Sequence, residues 1–251
     1  DEMLDRRPDL SSYSRVSYLR ELLGDTPGAI RGMELAAQAG AIGSEGRSWS
    51  LYQLANLAMG EEDLVAAERL LNGLIEESPR YTHAIAGLAH LRLIQGRVSE
   101  ARLLIEEAAV LAPNAGFDDL AAEIYLASGD DEAYAAAVAA IAAGLDEAEQ
   151  IGENVNMERA DFYADNDQNL KDALWLASLE LNRRPDHLHV NETYAWVLYN
   201  LNRADQAIPY IEHAMRFDNG DAKLAYRAGY IYLGAGQTEK GLSLMQEALD
   251  N

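Results

Sequence analysis

The sequence contains no cysteine among its 251 residues. Disulfide bridges, thiolate metal ligands and a cysteine nucleophile are therefore excluded together. A chain without thiols tolerates any redox environment, so this absence does not indicate a compartment.

Large aromatic residues and prolines are also scarce. Phe, Trp and Tyr make up 8% of the chain, whereas 49% of the residues are hydrophobic and many of these are alanine. Small side chains let helices approach closely, and only six prolines leave room for long helices. This balance favours packed helices over a β-sandwich.

Basic residues are scarce as well. The chain contains 20 Lys and Arg residues but 42 Asp and Glu residues, and its formal net charge is −22. Phosphate backbones and anionic lipids would repel such a chain, so we expect no nucleic-acid partner. From Ser99 to Asn182, 19 acidic residues face three basic ones. We interpret this stretch as a solvated surface, with a docking surface for a basic partner segment as the alternative.

The longest nearly apolar run extends from Ala135 to Leu145. It is too short to span a bilayer and consists mostly of alanine. We therefore predict a buried helix here and no membrane insertion.

One unit recurs along the chain. The stretches Ala84–Pro113 and Ala222–Asn251 share a helix, a turn glycine and a second helix with small residues at matching places. The turn glycines are Gly96 and Gly236, and small residues recur 34 positions apart at Ala67 and Ala101, Ala173 and Ala207, and Ala207 and Gly241. A period of this length is typical of stacked helix pairs, in which each pair covers the apolar face of its neighbour.

This pattern resembles the tetratricopeptide repeat family, and we expect a bacterial protein. The resemblance implies an all-α, right-handed superhelical solenoid of antiparallel helix pairs, with about seven repeats in a single domain over 1–251. The expected repeats are 9–43, 44–80, 81–114, 115–152, 153–185, 186–219 and 220–251, and residues 1–8 are expected to be the tail of a preceding repeat. Glu62, Gln168 and Asn202 stand at the turn position where the family usually has glycine.

No catalytic signature is present: the sequence contains no HExxH, GxGxxG, phosphate-binding loop or GxSxG motif. His83 and His90 lie two helical turns apart, about 10 Å along the axis, which is too far to share one metal ion. The segment Asp165–Asn169 resembles the start of a calcium loop, but Leu170 and Leu176 occupy the positions that need Gly and Glu. We therefore predict a polar turn there, and neither an enzyme nor a cofactor.

The first helix of each repeat faces the concave side in the family. Residues at spacings of three and four lie on one face of a helix, and Tyr and Trp are favoured on surfaces that bind. The candidate groove residues are Tyr18, Trp49, Tyr52, Asn56, His83, His90, Phe162, His189, Glu192, Trp196, Tyr199, Tyr226 and Tyr230. As the alternative, some of these rings pack between adjacent first helices. Lys223 is the one basic residue that this spacing places on the stripe, beside Glu158, Asp165 and Glu192.

The resemblance implies a non-enzymatic protein-interaction scaffold. Because the stripe is acidic, we expect a neutral to basic protein or peptide partner. The alternative is a periplasmic accessory or assembly factor that binds a non-protein ligand such as a glycan. The uncapped ends predict end-to-end self-association. The acidic, lysine-poor composition slightly favours a periplasmic or other extracytoplasmic location over the cytoplasm.

Overall fold

A computed structural model describes residues 8–113, 116–217 and 220–250. Most of the predicted tail, residues 1–7, lies outside these ranges. The described residues form helices and turns and contain no strand. The helices are α1 (Leu10–Leu22), α2 (Thr26–Ala39), α3 (Glu45–Gly60), α4 (Leu64–Glu77), α5 (Thr82–Ile94), α6 (Val98–Leu111), α7 (Asp118–Ser128), α8 (Asp131–Gln150), α9 (Asn156–Asp165), α10 (Leu170–Arg183), α11 (Leu188–Asn200), α12 (Ala204–Ala214), α13 (Ala222–Gly234) and α14 (Thr238–Asp250).

Aspartate side chains cap the N-termini of several of these helices. The carboxylates of Asp25, Asp63 and Asp221 accept hydrogen bonds from backbone N–H groups three residues later, at the starts of α2, α4 and α13. Each such cap satisfies a donor that the first helical turn leaves unpaired, and contributes about 1 kcal/mol.

The turns inside the pairs need a left-handed backbone. Glu62 and Asn202, predicted to replace the turn glycine, have φ angles of 57° and 59°. The prediction for Gln168 is wrong, because the left-handed residues between α9 and α10 are Asp167 and Asn169, with φ of 49° and 43°. Asp and Asn tolerate this conformation better than Gln.

The chain divides into two compact units, residues 1–141 and 142–251. In the first unit, α1 to α7 pack consecutively, and the alternate helices α1, α3, α5 and α7 also pack on one another. The small residues Ala67 and Ala101 are fully buried where the helices meet, beside larger residues such as Leu71 and Ile105.

The second unit repeats this arrangement with α9 to α14. Ala173 and Ala207 are fully buried, and Gly229 and Gly241 bring α13 and α14 together. A Cβ atom on Gly241 would lie 2.9 Å from the carbonyl oxygen of Gly229, so a larger residue would separate the helices. The predicted all-α repeat fold is confirmed, while its division into seven repeats of one domain stays a prediction.

Helix α8 differs from the other helices. It has 20 residues, and Ala137 is its one buried residue. The helix predicted over Ala135–Leu145 is therefore present, but the prediction that it is buried is wrong. Alanine has the highest helix propensity and little apolar surface, so this helix can form without being enclosed. No helix in the described part of the chain is long and apolar enough to cross a membrane.

Candidate functional site

A buried arginine connects three helices of the second unit. Arg227, on α13, is 2% exposed. Its Nη1 donates to Oδ1 of Asp161 at 3.1 Å and to Oε1 of Glu192 at 3.0 Å, and its Nη2 donates to Oδ1 of Asp165 at 3.1 Å. One guanidinium thus joins two carboxylates of α9 and one of α11. We call these four residues the Arg227 cluster.

Burial and pairing compete in this cluster. Burial raises the pKa of Asp161, although Arg227 and Lys223 partly oppose it. Burial would also raise the pKa of Glu192, but the hydrogen bond with His189 and the charge of Arg227 outweigh it, so that pKa is lowered. The distance from His189 Nδ1 to Glu192 Oε2 is 3.4 Å. This contact raises the pKa of His189.

Four aromatic rings lie beside the cluster. Trp196 and Tyr199 of α11 stack with centroids 5.1 Å apart and an angle of 13° between their planes. The ring of Tyr230 meets both, at 6.4 Å and 6.0 Å, and Tyr226 lies edge-on to Tyr230 at 4.8 Å. We call these four residues the aromatic platform. Offset and edge-to-face contacts of this kind favour a single arrangement of the rings.

The platform and the cluster are joined. Trp196 donates its indole N–H to Oδ1 of Asp165 at 2.6 Å, and the guanidinium carbon of Arg227 lies 5.3 Å from the Trp196 ring centroid. On the other side, the Tyr199 ring lies against Gly234, where a Cβ atom would come within 2.9 Å of Tyr199 Cε2. The rings are therefore held by hydrogen bonding, by charge and by close packing.

The rings of the platform both pack and face solvent. Tyr226 is 47% exposed, while Trp196, Tyr199 and Tyr230 are half-buried. These three rings therefore pack against their neighbours with one part of their surface and keep another part in solvent. A half-buried ring has a fixed orientation and can still offer a face to a ligand.

The first unit has a cavity of about 400 Å³ between α3, α5 and α7. His83 lies at its aromatic wall, with its ring centroid 5.9 Å from that of Tyr52 and 5.4 Å from that of Phe117. Gly87 lets the Tyr52 ring approach α5, because a Cβ atom there would lie 2.9 Å from Tyr52 Cε2. His90 also lines this space, which we call the unit 1 cavity.

Comparison with known proteins identifies the repeat. A sequence model of the Tetratricopeptide repeat family matches residues 58–124. A tetratricopeptide repeat protein from Parabacteroides merdae has a TM-score of 0.53 and 14% identity, over 96% of this chain and 92% of the other. Residues 58–124 thus match the tetratricopeptide repeat family, and the chain shares the fold of a tetratricopeptide repeat protein.

Two further structures share this fold. The Cut9–Hcn1 complex of the APC/C gives a TM-score of 0.62 at 13% identity, with coverage of 96% of this chain and 45% of the other. A monomeric mutant of IFIT1 with Gppp-AAAA gives 0.54 at 16% identity, with coverage of 96% and 69%. No curated protein sequence is significantly similar to this chain. Tetratricopeptide repeats generally form non-enzymatic scaffolds that bind protein partners.

The predicted site residues lie in several different parts of the chain. Tyr52, His83 and His90 line the unit 1 cavity. Tyr18 and Trp49 are exposed on α1 and α3, and Asn56 is half-buried. In the second unit Phe162 is half-buried, with its ring centroid 6.2 Å from that of Tyr163. The remaining residues belong to the aromatic platform or to the Arg227 cluster, except for His189, which contacts Glu192 of that cluster; Glu192 is buried.

The helical spacing did not predict Arg227 and Asp161 as site residues. Arg227 is therefore a second basic residue, besides Lys223, close to the acidic side chains of these helices. The spacing could have indicated Arg227, because it lies one turn after Lys223 on the same side of α13. Its burial could not be predicted, because its partners lie 35 to 66 positions earlier in the chain.

Proposed function

We propose that this protein is a non-enzymatic scaffold that binds an extended segment of a partner protein across α9, α11 and α13. The aromatic platform is the main contact. The observation that carries the proposal is that its rings are partly exposed and pack on one another, with the guanidinium of the buried Arg227 over the Trp196 ring. Rigid aromatic side chains lose little conformational entropy when a ligand binds, so their contact area is converted efficiently into affinity.

The charges beside the platform favour a neutral to basic segment. Asp161, Asp165 and Glu192 carry three negative charges, against the positive charges of Arg227 and Lys223. Asp161 and Asp165 are partly exposed, at 27% and 44% of the side chain, and Lys223 is exposed at 60%, whereas Arg227 is enclosed. The accessible groups therefore carry two negative charges against one positive charge, so we expect acidic chain ends to be disfavoured.

Peptides selected from a displayed random library on the intact protein would test this proposal. Selected peptides are then measured against Tyr226→Ala and Tyr230→Ala. We expect each substitution to weaken binding by about 2 kcal/mol. A glycan array probed in parallel tests the alternative, non-protein ligand.

Trp175→Ala provides a matched control. Trp175 is 61% exposed on α10 and lies outside the platform, so its loss removes a larger aromatic surface from another place. Peptide affinity should not change, and neither Tyr226→Ala nor Trp175→Ala should lower the melting temperature clearly. Selected peptides that bind Tyr226→Ala and Tyr230→Ala as tightly as the wild type would refute the proposal.

A further inference from the structure

The unit 1 cavity has an acidic wall. Asp119 and Glu123 both line it from α7, one helical turn apart, where side chains of a helix are neighbours. Among the lining residues that the structure describes, there is neither lysine nor arginine. The cavity therefore complements a positively charged group.

Another part of the lining is aromatic. Tyr52 and Phe117 both meet His83 edge-on, at angles of 65° and 75° between ring planes. Displacement of water by the surrounding helices lowers the pKa of His90, an effect that Glu123 only partly opposes. His90 is therefore neutral at pH 7 and does not repel a cation.

We propose that the unit 1 cavity binds an arginine side chain of a partner protein. A guanidinium is planar, so it can stack on the rings while its fork of N–H groups reaches two adjacent carboxylates. The ammonium group of lysine has no plane to stack. A volume of about 400 Å³ suits one long side chain rather than a folded element.

This inference rests on the proposed function only for the origin of the arginine, since it assigns that residue to a partner protein. The site itself can be tested without a partner. The probe is N-acetyl-arginine amide, and its neutral isostere N-acetyl-citrulline amide is the matched control. N-acetyl-lysine amide tests whether planarity matters or charge alone suffices.

Each probe is titrated into the full-length, ¹⁵N-labelled chain, and backbone amide shifts are followed by NMR. We expect the arginine probe to shift the signals of Gly87, His90 and Phe117 saturably. The citrulline probe should bind about tenfold more weakly, because it keeps the shape and loses the charge-assisted contacts. The lysine probe should lie between them.

The variant Glu123→Gln keeps the shape of the side chain and removes its charge. We expect it to weaken the arginine probe about fivefold, as for a partly exposed ion pair. Glu107→Gln is the control, since Glu107 is an exposed acid of α6 outside the cavity. Equal binding of arginine and citrulline, shifts spread over the acidic surface, or equal effects of the two variants would each overturn the inference.

The two proposals fail separately. If the arginine probe does not bind while selected peptides still depend on Tyr226, the cavity inference is wrong and the proposed function stands. If the probe binds as expected while peptide affinity is unchanged in Tyr226→Ala and Tyr230→Ala, the cavity is a cation site and the proposed function is wrong.

Discussion

The indole Nε1 of Trp196 lies 2.6 Å from Oδ1 of Asp165, and Arg227 donates to the same carboxylate. The largest ring of the aromatic platform is therefore fixed by a group that also belongs to the buried charge cluster. A change in that cluster should therefore reach the Trp196 ring through this hydrogen bond.

The first prediction concerns Asp165→Ala, which removes the acceptor of the Trp196 indole N–H. We expect the hydrogen exchange of that N–H to become roughly fivefold faster, as for the loss of one hydrogen bond of about 1 kcal/mol. NMR of the indole signals measures it. Trp175, which is exposed on another helix, provides the internal control and should not change. Unaltered exchange at Trp196 would show that packing alone holds the ring.

The second prediction concerns Arg227→Ala. Removing the guanidinium leaves three carboxylates without their shared partner, and we expect the free energy of unfolding to fall by about 3–5 kcal/mol. Urea denaturation measures this loss. Arg97→Ala is the control, because Arg97 forms an exposed ion pair with Glu100 and should cost less than about 1 kcal/mol. Similar losses for both variants would mean that the Arg227 cluster is no stronger than a surface pair.

The third prediction compares two glycines. In Gly234→Ala, the added Cβ would lie 2.9 Å from Tyr199 Cε2 and 3.1 Å from the Cβ of Ala204, so we expect a destabilisation of about 1–3 kcal/mol. Gly73 lies inside α4, where a Cβ would meet nothing within 4 Å. Gly73→Ala should therefore stabilise the protein by about 0.5–1 kcal/mol. Thermal or urea unfolding measures both, and equal signs would contradict the prediction.

The fourth prediction concerns pH. Because Glu192 raises the pKa of His189 above 6.5 in the folded state, protonated His189 stabilises the fold. That contribution is complete below pH 6.5 and is lost as the pH rises through the folded-state pKa. We therefore expect His189→Gln to destabilise the protein more at pH 5.5 than at pH 8, as measured by urea denaturation at each pH.

His90→Gln provides the opposite control. The pKa of His90 is lowered in the folded state, so protonation of the wild-type residue costs stability as the pH falls below 6.5. The substitution should relieve that cost, and the variant should gain stability relative to the wild type at acidic pH. The same pH dependence for both histidine variants would contradict the assigned directions.

Local signals in the sequence account for the helices and for most of their turns. Small residues 34 positions apart, such as Ala67 and Ala101, lie where helices approach, because only small side chains allow that contact. Gly96 and Glu62 are both left-handed, as their places between paired helices require. Gln168 failed as a turn prediction because two neighbours of a more suitable type, Asp167 and Asn169, take the left-handed conformations instead.

Spacings of three and four residues along the first helices also placed the rings of the platform on one face, since such spacing is a local property of a helix. Whether those rings would be buried or exposed depended on neighbours in other helices. Tyr226 is exposed, whereas Tyr199 is held against Gly234, 35 residues later in the chain.

The sequence by itself determined the helix pairs, their period and the excess of negative charge, because each depends on residues within about one repeat. Only the tertiary structure decided that Arg227 is buried, that Asp161 and Asp165 share it, and that α8 is largely exposed. A charged residue is buried only where opposite charges surround it, and an alanine helix is enclosed only where other helices meet it. Both conditions depend on segments distant in the chain, so the local sequence pattern determines neither of them.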